Sequence, residues 1–433
     1  SGLITPSLDE MVHVASEMQR LGFEQPLLIG GATTSPAHTS VKIDPCFDGA
    51  VIYVKDASRA VGVAQQLVGR EAESYKLGIK ADCERRRISH ARPKRRAPAL
   101  TIREARAAAR RLDWAEYTPP VPAHMGIHTV DDVSARDLVP YIDWMPFFNA
   151  WEFHGKFPDI LDDEVVGAAV TALYQDAQRM LDQMLAEDWI EIRACVGFFP
   201  ANANGDDIVV YEDANRDAER ATIHCLRQQK RRRADLPQEC LADYVAPARS
   251  EIDDYVGGFV VTAGGGVESR AQAFEADNDD YSAILLKALA DRFAEAGAEY
   301  LHQRVRREWW GYAPDETFSN DQLIDEAYSG IRPAPGYPAC PDHTLKHTLF
   351  ELLEAPERTG VTLTESCAMA PAASVSGWYF SHPESRYFAL GPIDLDQVED
   401  YAVRRGLDVV EVERWLAPVL GYEPGDRSQQ DAA

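Results

Sequence analysis

A run of positive charge broken by prolines divides this chain and limits what it can fold into. From Arg85 to Arg111, eleven lysines and arginines stand against a single acid, Glu104, with Pro93 and Pro98 inside the run. Mutual repulsion, and the amide N–H that each proline lacks, argue against packing such a stretch into a core. Pro119, Pro120 and Pro122 follow and push their preceding residues toward extended backbone. The stretch reads as a basic linker over 76–116, with a helical end from Ile102 to Arg111. It separates a domain over 1–75 from one over 117–425, with a tail over 426–433. Docking of the run on acidic neighbours is the alternative. A chain of 433 residues suits two or three domains of about 150 residues each.

The remainder is acidic, and 44 basic against 70 acidic residues give a formal charge of −26. That balance disfavours nucleic acid phosphates and anionic membranes, whose affinity comes from clustered Lys and Arg. No window approaches the roughly 18 consecutive apolar residues of a membrane span. The opening Ser-Gly-Leu-Ile has neither the basic region nor the apolar core of a signal peptide. Seven cysteines, odd in number and without a C-x-x-C pair, indicate neither a disulfide framework nor a thiolate zinc site. The expectation is a cytoplasmic protein, and the start without Met, in what reads as mid-domain, suggests a fragment of a longer one.

Periodicity assigns the two domains to different classes. Pro6 to Gly22 carries apolar residues at helical spacing and stops at glycine. The run Pro26 to Ile29 ends in Gly30-Gly31, and Ala50 to Val54 leads through Asp56 into a helix reaching Val68. Strand, glycine turn, helix and strand in this order are the α/β pattern of an open parallel sheet. Beyond the linker, helices are expected at Asp163 to Glu187, Tyr281 to Glu308, Asp394 to Arg404 and Val409 to Leu416. Short strands are expected at Gly197 to Phe199, Asp207 to Tyr211, Ala221 to Cys225 and Gly258 to Thr262. They cluster rather than alternate with helices, which indicates an α+β domain.

Several groupings have the residue types for chemistry. Gly30-Gly31, at the carboxyl end of a strand, would let backbone approach a ligand, or would simply make a tight turn. The segment 330–341 holds four prolines and two glycines, and its stiff backbone presents an arginine fork and a tyrosine face. It reads as a binding element or a rigid surface connection. Asp143 lies within the aromatic cluster 141–148, as a cation-holding carboxylate or as a helix N-cap. Asp291 and Glu295 share a helix face, a like-charge pair that a bound cation would relieve, while Lys287 one turn earlier offers an ordinary ion-pair ladder. His343 and His347 are spaced i, i+4, but no third metal ligand is evident. The cluster Arg386-Tyr387-Phe388 would flank a groove or belong to a core strand.

The motifs SGLITPSLDEM, PLLIGGATTS, YVKDASR, YIDWMPFF, FEADNDDY, WWGYAPDE, GIRPAPGYPACPDHT, SVSGWYFSHPESRY and VERWLAPVLGY run almost end to end. With them the chain resembles the C-terminal part of cobalamin-dependent methionine synthases. The resemblance implies the end of a Rossmann-like cobalamin-binding domain, a linker and a whole S-adenosylmethionine-binding activation domain. It implies S-adenosylmethionine contacts at Asp143, Glu295, Arg332, Ala334, Gly336, Tyr337, Tyr387 and Phe388. It further implies cobalamin contacts at Ser1, Thr5, Gly30, Gly31 and Ala57. The family's axial histidine, its four-helix cap, and its zinc-bearing homocysteine and folate modules are expected upstream, so no metal ligand is expected here.

The activity so implied is methionine synthesis, the transfer of a methyl group from 5-methyltetrahydrofolate to homocysteine through cobalamin. This part of it would bind S-adenosylmethionine and support reductive methylation of cob(II)alamin to methylcobalamin. The expected partners are the upstream modules and, as electron donor, flavodoxin or a diflavin reductase. Two other readings stay open: a stand-alone S-adenosylmethionine-binding regulatory module, and a reductive activase for another corrinoid protein.

Overall fold

A computed structural model describes residues 7–31, 34–55, 57–70, 72–91, 100–231 and 236–424. The chain forms two compact units, Ser1–Ala99 and Leu100–Ala433. Among the described residues no helix is long and apolar enough to cross a membrane.

In the first unit the helix Ser7–Arg20 puts Met11 and Ala15 against Ile29, Ile43, Phe47 and Val51. Strands β1 (Leu27–Ile29) and β2 (Val51–Tyr53) pair in parallel, Leu28 opposite Ile52. The helices Ala57–Val68 and Ala72–Ala91 follow. The second carries the start of the basic run, and its Lys80 (2.9 Å) and Arg87 both pair with the buried Asp44. This is a two-stranded parallel pair with helices.

The second unit is mixed α/β around an antiparallel sheet. Its strands are β3 (Gly126–Val130), β4 (Glu191–Asn204), β5 (Asp207–Tyr211), β6 (Glu219–His224), β7 (Asp254–Gly265) and β10 (Ser374–Tyr379). The order is β10-β7-β4-β5-β6, with β3 also on β4. The intervening β8 (Thr362–Leu363) and β9 (Met369–Ala370) form a separate small pair. Period-two alternation sends Cys195, Phe199 and Ala201 of β4 to one core, and Ala194, Val196 and Phe198 to another. On the first face the helix Leu345–Leu353 packs directly on the sheet, where a Cβ at Gly258 would stand 2.6 Å from Leu349 and one at Gly197 2.7 Å from Leu353. On the opposite face lies the long helix Asp280–Arg304, whose Ala298 and Leu301 meet Phe259 and Val261.

Three expectations need correction. The short strands at Gly197 to Phe199 and Gly258 to Thr262 are the middles of strands of 14 and 12 residues. The helix from Ile102 ends at Ala107, after a Thr101–Glu104 capping box, and Ala109 instead bridges to Gln238. The 76–116 stretch is not a solvated linker throughout. Its first part is the helix ending at Ala91, and its last part docks on the second unit. There Arg106 reaches Asp206 (2.7 Å) and Asp400 (2.6 Å), and Arg110 forks onto Glu239 at 2.8 and 3.0 Å. The buried Asp206 and Glu239 and the half-buried Asp400 supply the counter-charges that the local sequence lacks.

Candidate ligand cleft

Four separate segments converge on one cleft of about 340 Å³ in the second unit, one of them the stretch 320–328 that brings Glu326 and Tyr328. The helix Asp280–Arg304 begins at Asp279, whose side chain accepts from Ser282 N at 3.0 Å. Its residues Arg292, Glu295 and Glu299, spaced three and four apart, line one wall. The short helix Trp144–Ala150 is anchored by Trp144, Phe147 and Phe148, buried with Phe157 and Tyr174 around them. At its start Asp143 accepts from Met145 N at 2.9 Å while lining the cleft, so the N-cap and the cleft-lining positions belong to the same carboxylate.

The third segment is the proline-rich loop. Ile331 exchanges two 3.0 Å backbone bonds with Phe380, and Trp378 N donates to Pro333 O at 2.9 Å. These stitches fix the segment beside β10 and place Arg332 in the cleft. Beyond it the backbone turns: Gly336 N donates to Cys340 O at 2.7 Å, and Tyr337 N to Ala334 O at 3.1 Å. Gly336 has φ +97°, and a Cβ there would lie 2.2 Å from the ring of His343.

The cleft is rich in acids. Asp143, Glu295, Glu299 and Glu326 face two cations, Arg292 and Arg332. The Arg332 guanidinium donates to Glu299 Oε2 at 2.5 Å, and its backbone N–H to the Tyr387 hydroxyl at 2.9 Å. Burial works against the Arg332 cation, but the adjacent Glu299 charge holds its pKa above the ordinary value. Burial raises the carboxyl of Glu326, with Arg332 opposing and Glu299 reinforcing. Behind the cleft, burial and the charges of Arg306 and Arg332 push His302 well below its usual pKa, so its ring is neutral.

Of the residues expected to hold S-adenosylmethionine, the structure brings Asp143, Glu295 and Arg332 together in the cleft. Tyr387 joins them through the Arg332 amide. Tyr337 is 59% exposed and lies within Coulombic reach of Glu295, Arg292 and Arg332. Ala334 and Gly336 form the turn below it, and Phe388 packs on the core of the sheet's other face. Sequence reasoning missed Arg292, Glu299, Glu326 and Tyr328. The i, i+4 spacing from Glu295 to Glu299 was a usable signal, but the pair noted was Asp291 with Glu295. Lys287 makes no ladder with that pair and reaches Glu275 (3.1 Å) and Glu268 (3.9 Å) on the preceding helix Val267–Ala276.

The two spaced histidines take separate partners: His343 meets Lys346 Nζ at 3.0 Å, and His347 meets Cys367 Sγ at 3.4 Å. Among the residues expected at cobalamin, Ser1 and Thr5 lie outside the described residues. Gly30 and Gly31 follow β1, and a Cβ at Gly30 would stand 2.9 Å from Val54 O, so the close approach of the two chain segments itself calls for glycine there. Ala57 opens the helix Ala57–Val68.

An acid-lined cleft with one positioned arginine, beside an antiparallel sheet, has the charges of both signs that a small zwitterionic ligand would match. The chain belongs to the family described as vitamin B12 dependent methionine synthase, activation domain, whose family model matches residues 134–406. It is also similar to a solved structure described as the crystal structure of the MetH reactivation domain bound to AdoHcy. The two are 55% identical with a TM-score of 0.73, over 75% of this chain and 100% of that one.

Proposed function

We propose that the cleft binds S-adenosylmethionine and that the domain serves the reactivation of a cobalamin-dependent methionine synthase. The observation that carries this reading is the convergence of Asp143, Glu295 and Arg332 from three distant segments. It is supported by a 55% identical domain whose structure is described with AdoHcy bound. Arg332 would take the methionyl carboxylate, and Asp143 and Glu295 would balance the ammonium and sulfonium. Backbone in the Ala334–Gly336 turn would meet adenine, with Tyr337 and Tyr387 around it. A cleft of this volume lies within the roughly 300–1,000 Å³ range of small-molecule sites.

Cobalamin, when bound, supplies the metal that accepts the methyl group. Ser1, Thr5, Gly30, Gly31 and Ala57 would be its contacts in the first unit. Positioning rather than acid–base chemistry is what the second unit contributes, because a methyl leaving a sulfonium needs no protein base. The reading includes a cytoplasmic setting, the upstream modules as partners, and flavodoxin or a diflavin reductase as electron donor. Isothermal titration of the chain with S-adenosylmethionine tests it: one site per chain is expected, competed by S-adenosylhomocysteine. Absence of binding refutes the reading.

A further inference from the structure

Glu299 is almost wholly buried, yet it belongs to the wall of the cleft. Its Oε2 holds Arg332 Nη2 at 2.5 Å, and its Oε1 lies 3.7 Å from Arg306 Nη2. Arg306, with no exposed side-chain surface, is committed elsewhere. Its Nε and Nη2 fork onto Glu316 at 2.7 Å each, and its guanidinium sits 4.1 Å over the ring of Tyr328. Glu316, Arg306, Glu299 and Arg332 therefore alternate in sign from the interior to the cleft, and of the two arginines it is Arg332, with 21% of its side chain exposed, that lines the ligand space.

The arrangement leaves Arg332 Nε buried without a hydrogen-bond partner. With that donor unpaired, the guanidinium is oriented by its hydrogen bond to Glu299. Two other carboxylates compete for it. Glu295 and Glu326 line the same cleft, and both act on Arg332 through their charges. Captured by either, Arg332 would turn away from its present position.

We infer that Glu299 is a positioning residue that pins Arg332 for the ligand's carboxylate and so makes the cleft selective for ligands that carry one. This rests on the S-adenosylmethionine reading above. The step is electrostatic, with no bond made or broken. Glu299 neutralises Arg332 in the free protein, and the ligand carboxylate then meets a guanidinium already held in one plane, so less freedom is lost on binding.

The test compares two probes that share a nucleoside and a sulfur. S-adenosylhomocysteine carries the carboxylate; 5′-methylthioadenosine lacks the amino-acid part. Affinities are measured by titration for the wild-type chain, Glu299→Ala, Glu299→Gln and Arg332→Ala. Glu299→Ala should lose about tenfold or more for S-adenosylhomocysteine, as expected when a charge-assisted contact is misplaced, and less than about twofold for methylthioadenosine. Glu299→Gln, which keeps the volume and one acceptor oxygen for Arg332, should recover part of that loss, and it makes the same comparison if the alanine variant does not fold. In the Arg332→Ala background, Glu299→Ala should add less than about twofold. Equal losses for both probes, or unchanged affinity for S-adenosylhomocysteine, overturn the assignment. A wild-type chain that binds neither probe overturns the underlying reading and this assignment with it.

Discussion

Replacing Gly336 with alanine should destabilise the protein by an amount that divides into two separable parts. The backbone there has φ +97°, and holding an L-residue in the left-handed region costs about 1–2 kcal/mol. The new methyl would also stand 2.2 Å from His343 Cε1 and 2.5 Å from Nδ1, where ordinary carbon contacts begin near 3.5 Å. His343 cannot easily swing aside. Its Nδ1 lies 3.0 Å from Lys346 Nζ, and that ammonium donates to Cys367 O at 2.9 Å. Overpacking of this kind costs about 1–3 kcal/mol, so the total is about 2–5 kcal/mol. Urea denaturation of the wild type, Gly336→Ala, His343→Ala and the double variant separates the parts. With the ring removed, the glycine substitution should cost only the backbone share, about 1–2 kcal/mol. A Gly336→Ala variant as stable as the wild type, or an equal cost in both backgrounds, would refute the reasoning.

Other consequences are as specific. The carboxyl of Asp254 is pushed up to about 7 by burial, despite accepting from Ala246 N and Tyr255 N at 2.7 Å each and despite the charge of Arg216. The folded state therefore holds this proton more tightly than the unfolded chain. Stability relative to Asp254→Asn should fall as pH rises from about 4 to about 7, by on the order of 4 kcal/mol, and then level off. A pH-independent difference in denaturation midpoint between the two would contradict this. Asp143 serves as both N-cap and cleft wall, so Asp143→Asn should keep the melting temperature but weaken S-adenosylmethionine binding, while Asp143→Ala should also lose about 1 kcal/mol of stability. Equal affinities for Asp143→Asn and the wild type would remove Asp143 from the site.

Local patterns made the long helices and strands such as Asp207–Tyr211 legible, because each buries one face and shows its period in consecutive residues. The full length of Glu191–Asn204 was hidden by Pro200. That residue falls between the end of β3's pairing at Phe198 and the start of β5's at Ala201, where one flank of the strand has no partner and a missing N–H is tolerated. Gly126–Val130 escaped notice as five residues with a weak apolar alternation. In the cleft, Arg332 stood out because prolines framed it. Glu299 did not: its partner lies 33 residues away, and on the helix it resembles any other acid. Docking of the basic run was legible as an alternative, but its partners were not, since Asp206, Glu239 and Asp400 come from three distant segments.

The central claim, that this cleft holds the amino-acid end of S-adenosylmethionine on Arg332, is tested most directly by calorimetric titration of the wild-type chain and Arg332→Ala with that ligand. Loss of one charge-assisted contact of about 1.5–3 kcal/mol predicts an affinity roughly ten- to a hundredfold weaker, with the fold intact by circular dichroism. Equal affinities for the two proteins would contradict it.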